Sequence, residues 1–92
     1  MKIKFSLIAQ ERLANMASYI YEQSKSKKIT REYLKRFKQF IIETLTAFPK
    51  AGRPSPELLE DSRKLVYQGY SIIYRVKETK IEVLTLYREN LL

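Results

Sequence analysis

Arg63, Arg75, Tyr87 and Arg88, with Arg53 further upstream, are the residues of this chain best equipped for chemistry. Arginine holds phosphates bidentately and stabilises developing negative charge, and tyrosine can pass a proton or stack on a base. Brought together, such a set could cleave RNA. Spread over strands with their polar tips outside, the same residues would be ordinary sheet positions paired to Glu78, Glu82 or Glu89. Other reagents are few. The chain has no His and no Cys, which excludes the common nucleophile–base pairs, disulfides and thiolate metal sites. No cofactor and no metal are expected. The acidic phrase "ELLED" (Glu57, Glu60, Asp61) lies among basic residues and reads as solvated charge or a turn cap. "GRP" is only a turn.

Ninety-two residues make one domain, spanning 1–92, because a second would be too small to bury its own core. Apolar content of 45%, with seven Tyr and four Phe, is enough for that core. The opening residues lack a long apolar stretch or a small-residue cleavage site, and no apolar run approaches the roughly 20 residues that span a bilayer. A cytoplasmic protein without membrane contact is expected. The formal net charge of +8 favours encounter with anionic partners and says nothing about fold. Much of it lies in Lys25 to Lys38, which reads as a solvated loop and helix face.

The elements that must position these residues follow from periodicity. Ile3, Phe5 and Leu7 alternate, as in an opening strand. From Ala9, apolar residues recur every three or four (Leu13, Met16, Ala17, Ile20), as in an amphipathic helix broken at "SKSKK". A second helix is expected from Thr30, with the Thr30 hydroxyl as cap and Ile29 and Leu34 as a hydrophobic staple. Its stripe runs Leu34, Phe37, Ile41, Leu45, Phe48, and Pro49 stops it. A turn-rich connection holds all three prolines. Three strands follow: Lys64 to Tyr67, Tyr70 to Val76, and Ile81 to Tyr87, linked by Gln68-Gly69 and by "KETK". The order β-α-α-β-β-β predicts an α+β fold, a small antiparallel-type sheet with a two-helix hairpin on one face.

In order and spacing, these pieces resemble the RelE/ParE superfamily of bacterial type II toxins, its ParE branch in particular. The likeness runs through Ala9, Leu13, Met16 and Tyr19, then "P..GRPSPEL" (Pro49 to Leu58), "R.L" (Arg63, Leu65), "GY.I.YR" (Gly69 to Arg75) and "IEVL.L" (Ile81 to Leu86). It implies the same fold and a toxin neutralised by a cognate antitoxin with an acidic or disordered tail. RelE-like members cut mRNA in the ribosome; ParE-like members block DNA gyrase and are not known as hydrolases. Ribonuclease members often carry Arg directly after the strand Tyr, where this chain has Ser71. Many ParE-like members have a His where this chain has Arg88, one place after Tyr87. The resemblance therefore favours a gyrase inhibitor without catalytic residues, with Arg53, Arg63, Arg75, Tyr87 and Arg88 as target-binding candidates. The alternative is a ribosome-dependent endoribonuclease in which Arg63, Arg75 and Arg88 hold phosphates and Tyr87 carries the proton.

Overall fold

A computed structural model describes residues 1–89. Its elements are β1 (Lys2–Phe5), α1 (Leu7–Ser24), α2 (Lys27–Ala47), β2 (Arg53–Pro54), β3 (Arg63–Tyr67), β4 (Tyr70–Val76) and β5 (Lys80–Arg88). They form one five-stranded sheet in the order β1-β5-β4-β3-β2. The α+β class and the helical hairpin agree with the sequence. The sheet is mixed, because β1 runs parallel to β5 while every other pairing is antiparallel. The two-residue strand β2, inside the proline-rich connection, is an addition to the expected order.

Both helices bury one stripe against the sheet. Ala9, Leu13 and Met16 of α1 and Phe37, Ile41 and Leu45 of α2 pack on Tyr70, Ile72, Tyr74, Ile81, Val83 and Leu86. Aromatic contacts lock the hairpin in place: Phe40 stacks on Tyr67 with centroids 3.7 Å apart, and Phe37 meets Tyr70 edge-on at 5.4 Å. Such pairs contribute beyond the area they bury. Phe48, expected to end the α2 stripe, is 67% exposed because the helix stops at Ala47.

The helix starts correct two expectations. α2 begins three residues earlier than expected, capped by Ser26, whose hydroxyl accepts from the Ile29 N–H at 3.1 Å. Thr30 is already helical, and its hydroxyl donates back to the Ser26 carbonyl at 2.8 Å. Ile29 is exposed and staples nothing. For α1 the cap is Ser6, which does two jobs. Its hydroxyl accepts from the Ala9 N–H at 3.0 Å and donates to the Leu84 carbonyl at 2.7 Å, tying the helix start to β5. That carbonyl belongs to a bulge: Ile73 pairs with Thr85 but Tyr74 with Val83, leaving Leu84 as the extra residue.

The β3–β4 turn is as expected. Gln68 and Gly69 both have positive φ (49° and 83°), as a two-residue hairpin turn of the right twist demands. The "KETK" link is shorter than expected, since Lys80 already belongs to β5 and the Lys77 N–H donates to its carbonyl at 2.8 Å.

The connection after α2 is pinned by one phenol. Tyr74 is fully buried; its hydroxyl accepts from the Gly52 N–H and donates to the Pro49 carbonyl, both at 2.8 Å. Gly52 has no room for a side chain, since a Cβ there would lie 2.7 Å from the Lys64 carbonyl oxygen. Tyr74→Phe keeps the ring and leaves the buried Gly52 N–H and the part-buried Pro49 carbonyl without their partner. A loss of about 1–3 kcal/mol in unfolding free energy is expected, read by urea denaturation. A variant as stable as the wild type would show that the connection does not depend on the phenol.

Candidate target-contact surface

The sheet has two faces, and they sort the five expected residues. Tyr70, Ile72 and Tyr74 of β4 meet the helices, whereas Ser71, Ile73 and Arg75 point the other way. Across the register, Lys64 and Val66 of β3, Thr85 and Tyr87 of β5, Lys2 and Lys4 of β1, and Arg53 of β2 share this second face. It carries no helix.

The five residues divide among three places. Arg63 has the parity of Leu65 and Tyr67 and lies on the helix side, half-buried. Its guanidinium donates to the Gly52 carbonyl at 2.7 Å, with Lys50 carbonyl at 3.5 Å, so it braces the proline-rich connection. Arg53, Arg75 and Tyr87 belong to the helix-free face. Arg75 donates from Nη2 to the Glu60 carbonyl at 2.9 Å, and its buried Nε has no hydrogen-bond partner among the described residues. Arg88 returns to the helix side, its guanidinium carbon 4.7 Å from the centre of the Tyr19 ring. The bulge at Leu84 causes that return. Without the extra residue, Tyr87 would share the side of Ile81 and Val83, and Arg88 would face outward. Arg63 and Arg75 do line one shallow cleft with Glu60, Asp61 and Lys77, but Tyr87 and Arg88 are not part of it.

Two carboxylates organise the helix-free face, and neither pairs with an arginine there. Glu82 lies between Lys77 (3.4 Å) and Lys80 (3.7 Å), and hydrogen bonding from Lys77 holds its carboxyl below the usual range. Glu89 accepts from the buried Ser71 hydroxyl and sits 3.4 Å from Lys64 Nζ, in the field of Arg53 as well. The Ser71 hydrogen bond first, then Lys64, holds its carboxyl below the usual carboxylate range. Ser71 and Lys64 are therefore structural partners that residue type alone did not single out. The cue was available: Lys64 and Ser71 alternate with apolar residues on adjacent strands, and Glu89 directly follows β5. Cations still outnumber carboxylates on this face. It is a positive, mostly flat surface with Val66 exposed at its edge.

The acidic loop phrase has the bland role expected of it. Glu57 pairs with Arg53 at 3.5 Å in solvent, and the turn is held by Ser62, whose hydroxyl donates to the Leu59 (2.7 Å) and Ser55 (3.0 Å) carbonyls. An exposed pair of that kind contributes little.

With a lowered native value, Glu89 adds stability that is present above its ordinary value of 4.5 and is lost as pH falls through the native one. Wild-type stability should therefore fall more steeply below about pH 4.5 than that of Glu89→Gln. Parallel denaturation series on the acid side read this; identical slopes would remove Glu89 from the account.

Comparison with known proteins now bears on the chain as a whole. The sequence pattern described as "ParE toxin of type II toxin-antitoxin system, parDE" matches residues 3–90. A comparison with curated protein sequences gives no match. Among solved structures, a chain of the chromosomal ParDE TA system from P. aeruginosa superposes with a TM-score of 0.78. The match covers 98% of this chain and 97% of that one at 22% identity, a likeness of fold.

Proposed function

The chain belongs to the ParE toxin family of type II toxin–antitoxin systems, and on that premise we propose that it arrests growth by binding DNA gyrase, without bond-breaking chemistry of its own. The observation that carries this reading is dispersal. A nuclease needs its phosphate-holding arginines and its proton carrier around one scissile bond. Here Arg63 is engaged with loop carbonyls, Arg75 belongs to the helix-free face, and Arg88 lies on the helix side against Tyr19. The three arginines therefore share no one site, even though Tyr87 borders the Arg88 cleft. The position where ribonuclease relatives carry arginine is Ser71, wholly buried and committed to Glu89. What remains exposed is a positive protein surface, suited to recognition of a macromolecule in the cytoplasm.

Neutralisation in this reading comes from a cognate antitoxin with an acidic or disordered tail that folds on binding. The net charge of +8 supports it. Its association should slow as ionic strength rises, because steering between opposite charges is screened. Stopped-flow mixing at several salt concentrations measures this, and a salt-independent on-rate would count against an acidic partner.

Tyr87→Phe separates inhibition from cleavage. It removes one hydroxyl from a half-buried ring and leaves packing in place. A gyrase inhibitor should keep most of its toxicity, whereas a nuclease using Tyr87 as acid or base should lose roughly 10²–10⁴-fold in cleavage rate. Growth arrest is read beside gyrase supercoiling and ribosomal mRNA cleavage. Cleavage by the wild type that vanishes in the variant, with gyrase untouched, would overturn the proposal in favour of the ribonuclease.

A further inference from the structure

The cleft at the far end of β5 departs from the rest of the surface. It has a volume of about 430 Å³ and lies between α1 and the end of β5. Its floor is apolar: Met16, Leu86 and the Tyr70 ring, all at least nine-tenths buried. Its rim carries two guanidinium groups, Arg12 from α1 and Arg88 from β5. Neither makes an ion pair among the described residues, although every carboxylate of the sheet has its cation.

Arg88 is held in place without being neutralised. Its plane lies over Tyr19, and the hydroxyls of Tyr19 and Tyr70 are its polar neighbours. Burial pushes the Tyr70 phenol above its ordinary value in spite of the arginine, so it stays uncharged near neutral pH. The guanidinium has paid part of its ordering entropy in advance, which favours binding by a planar oxyanion. No carboxylate lines the cleft to compete for it.

We propose that this cleft receives a carboxylate side chain of a protein partner, with a neighbouring apolar side chain seated on Met16, Leu86 and Tyr70. The apolar floor selects peptide over nucleic acid. A phosphodiester would satisfy Arg12 and Arg88 but would cover the floor with a charged, hydrated backbone. An acidic residue beside Leu, Ile or Phe satisfies both parts at once, and hot spots take this form, a charged group on a desolvated apolar base. The inference deepens the reading of the chain as a protein-binding toxin and names the contact class at one site.

A random dodecapeptide display library selected on the full chain tests it, with counter-selection on Arg12→Gln/Arg88→Gln. Both positions are exposed, so unchanged thermal melting is expected and checks that the variants fold. Enriched peptides should pair Asp or Glu with a large apolar residue. When synthesised, they should shift the Arg88 side-chain NMR signal and lose at least tenfold in affinity on each single Gln variant. Peptides without an acid, equal affinity for the double variant, or no enrichment would each overturn the proposal. So would uridine monophosphate or inorganic phosphate shifting Arg88 where acidic peptides do not, which would make this a nucleotide site. Gyrase inhibition intact in a chain that binds no such peptide would sink this inference alone; peptide binding without gyrase inhibition would sink only the proposed function.

Discussion

The parallel pairing of β1 with β5 is the constraint on which the rest of the fold depends. It joins the first strand of the chain to the last, Ile3 beside Ile81 and Phe5 beside Val83. Parallel neighbours need a long crossover, and here everything between them serves as one. The two helices leave directly from β1 and cover the face that Ile3, Phe5, Ile81 and Val83 present. Ser6 fixes the departure angle, because one hydroxyl caps α1 and bonds the Leu84 carbonyl. β5 is thereby held by a strand on each side and a helix above. It is the strand that delivers Tyr87 and Arg88, with Glu89 just past its end.

A chain this short has material to cover only one face. The helices take the side of Tyr70, Ile72 and Tyr74, and the opposite side must live with water. Ile73 still lies buried there, under long neighbouring side chains with charged ends. Lysine and arginine are suited to such a face: their stems shield apolar side chains while their heads remain hydrated. The positive surface is thus partly a solution to a covering problem, and a partner can exploit it later. The same economy explains why Glu82 and Glu89 each sit among several cations.

Much of this was legible in the sequence, and the exceptions have local physical reasons. The α2 stripe, the α1 stripe and the Gln68-Gly69 turn are patterns of nearest neighbours along the chain, which periodicity reads well. The start of α2 was misplaced because both Ser26 and Thr30 can cap, and Lys27 and Lys28 oppose the helix dipole in the first turn. The two-residue β2 was hidden by Pro54, which reads as a breaker yet is tolerated on an edge strand. The parallel pairing leaves no local trace at all. Nothing in Lys2–Phe5 taken alone names Lys80–Arg88 as its neighbour.

The site shows the same limit more sharply. Alternation within β3 already puts Arg63 with Leu65 and Tyr67, and in β4 it puts Arg75 with Ser71, so these two could have been separated by parity. β5 could not be read that way. "IEVLTLYR" runs two apolar residues, Val83 and Leu84, side by side, and either could be the inward one. The bulge resolves the conflict by leaving Leu84 out of the pairing, and it moves every later residue to the other face. Tyr87 thus leaves the core side and Arg88 joins it, where Tyr19 is waiting. A single inserted residue, fixed in turn by the α1 cap, decides which of two adjacent candidate side chains faces the helices. Residue type supplied the candidates; backbone register divided them between the two faces of the sheet.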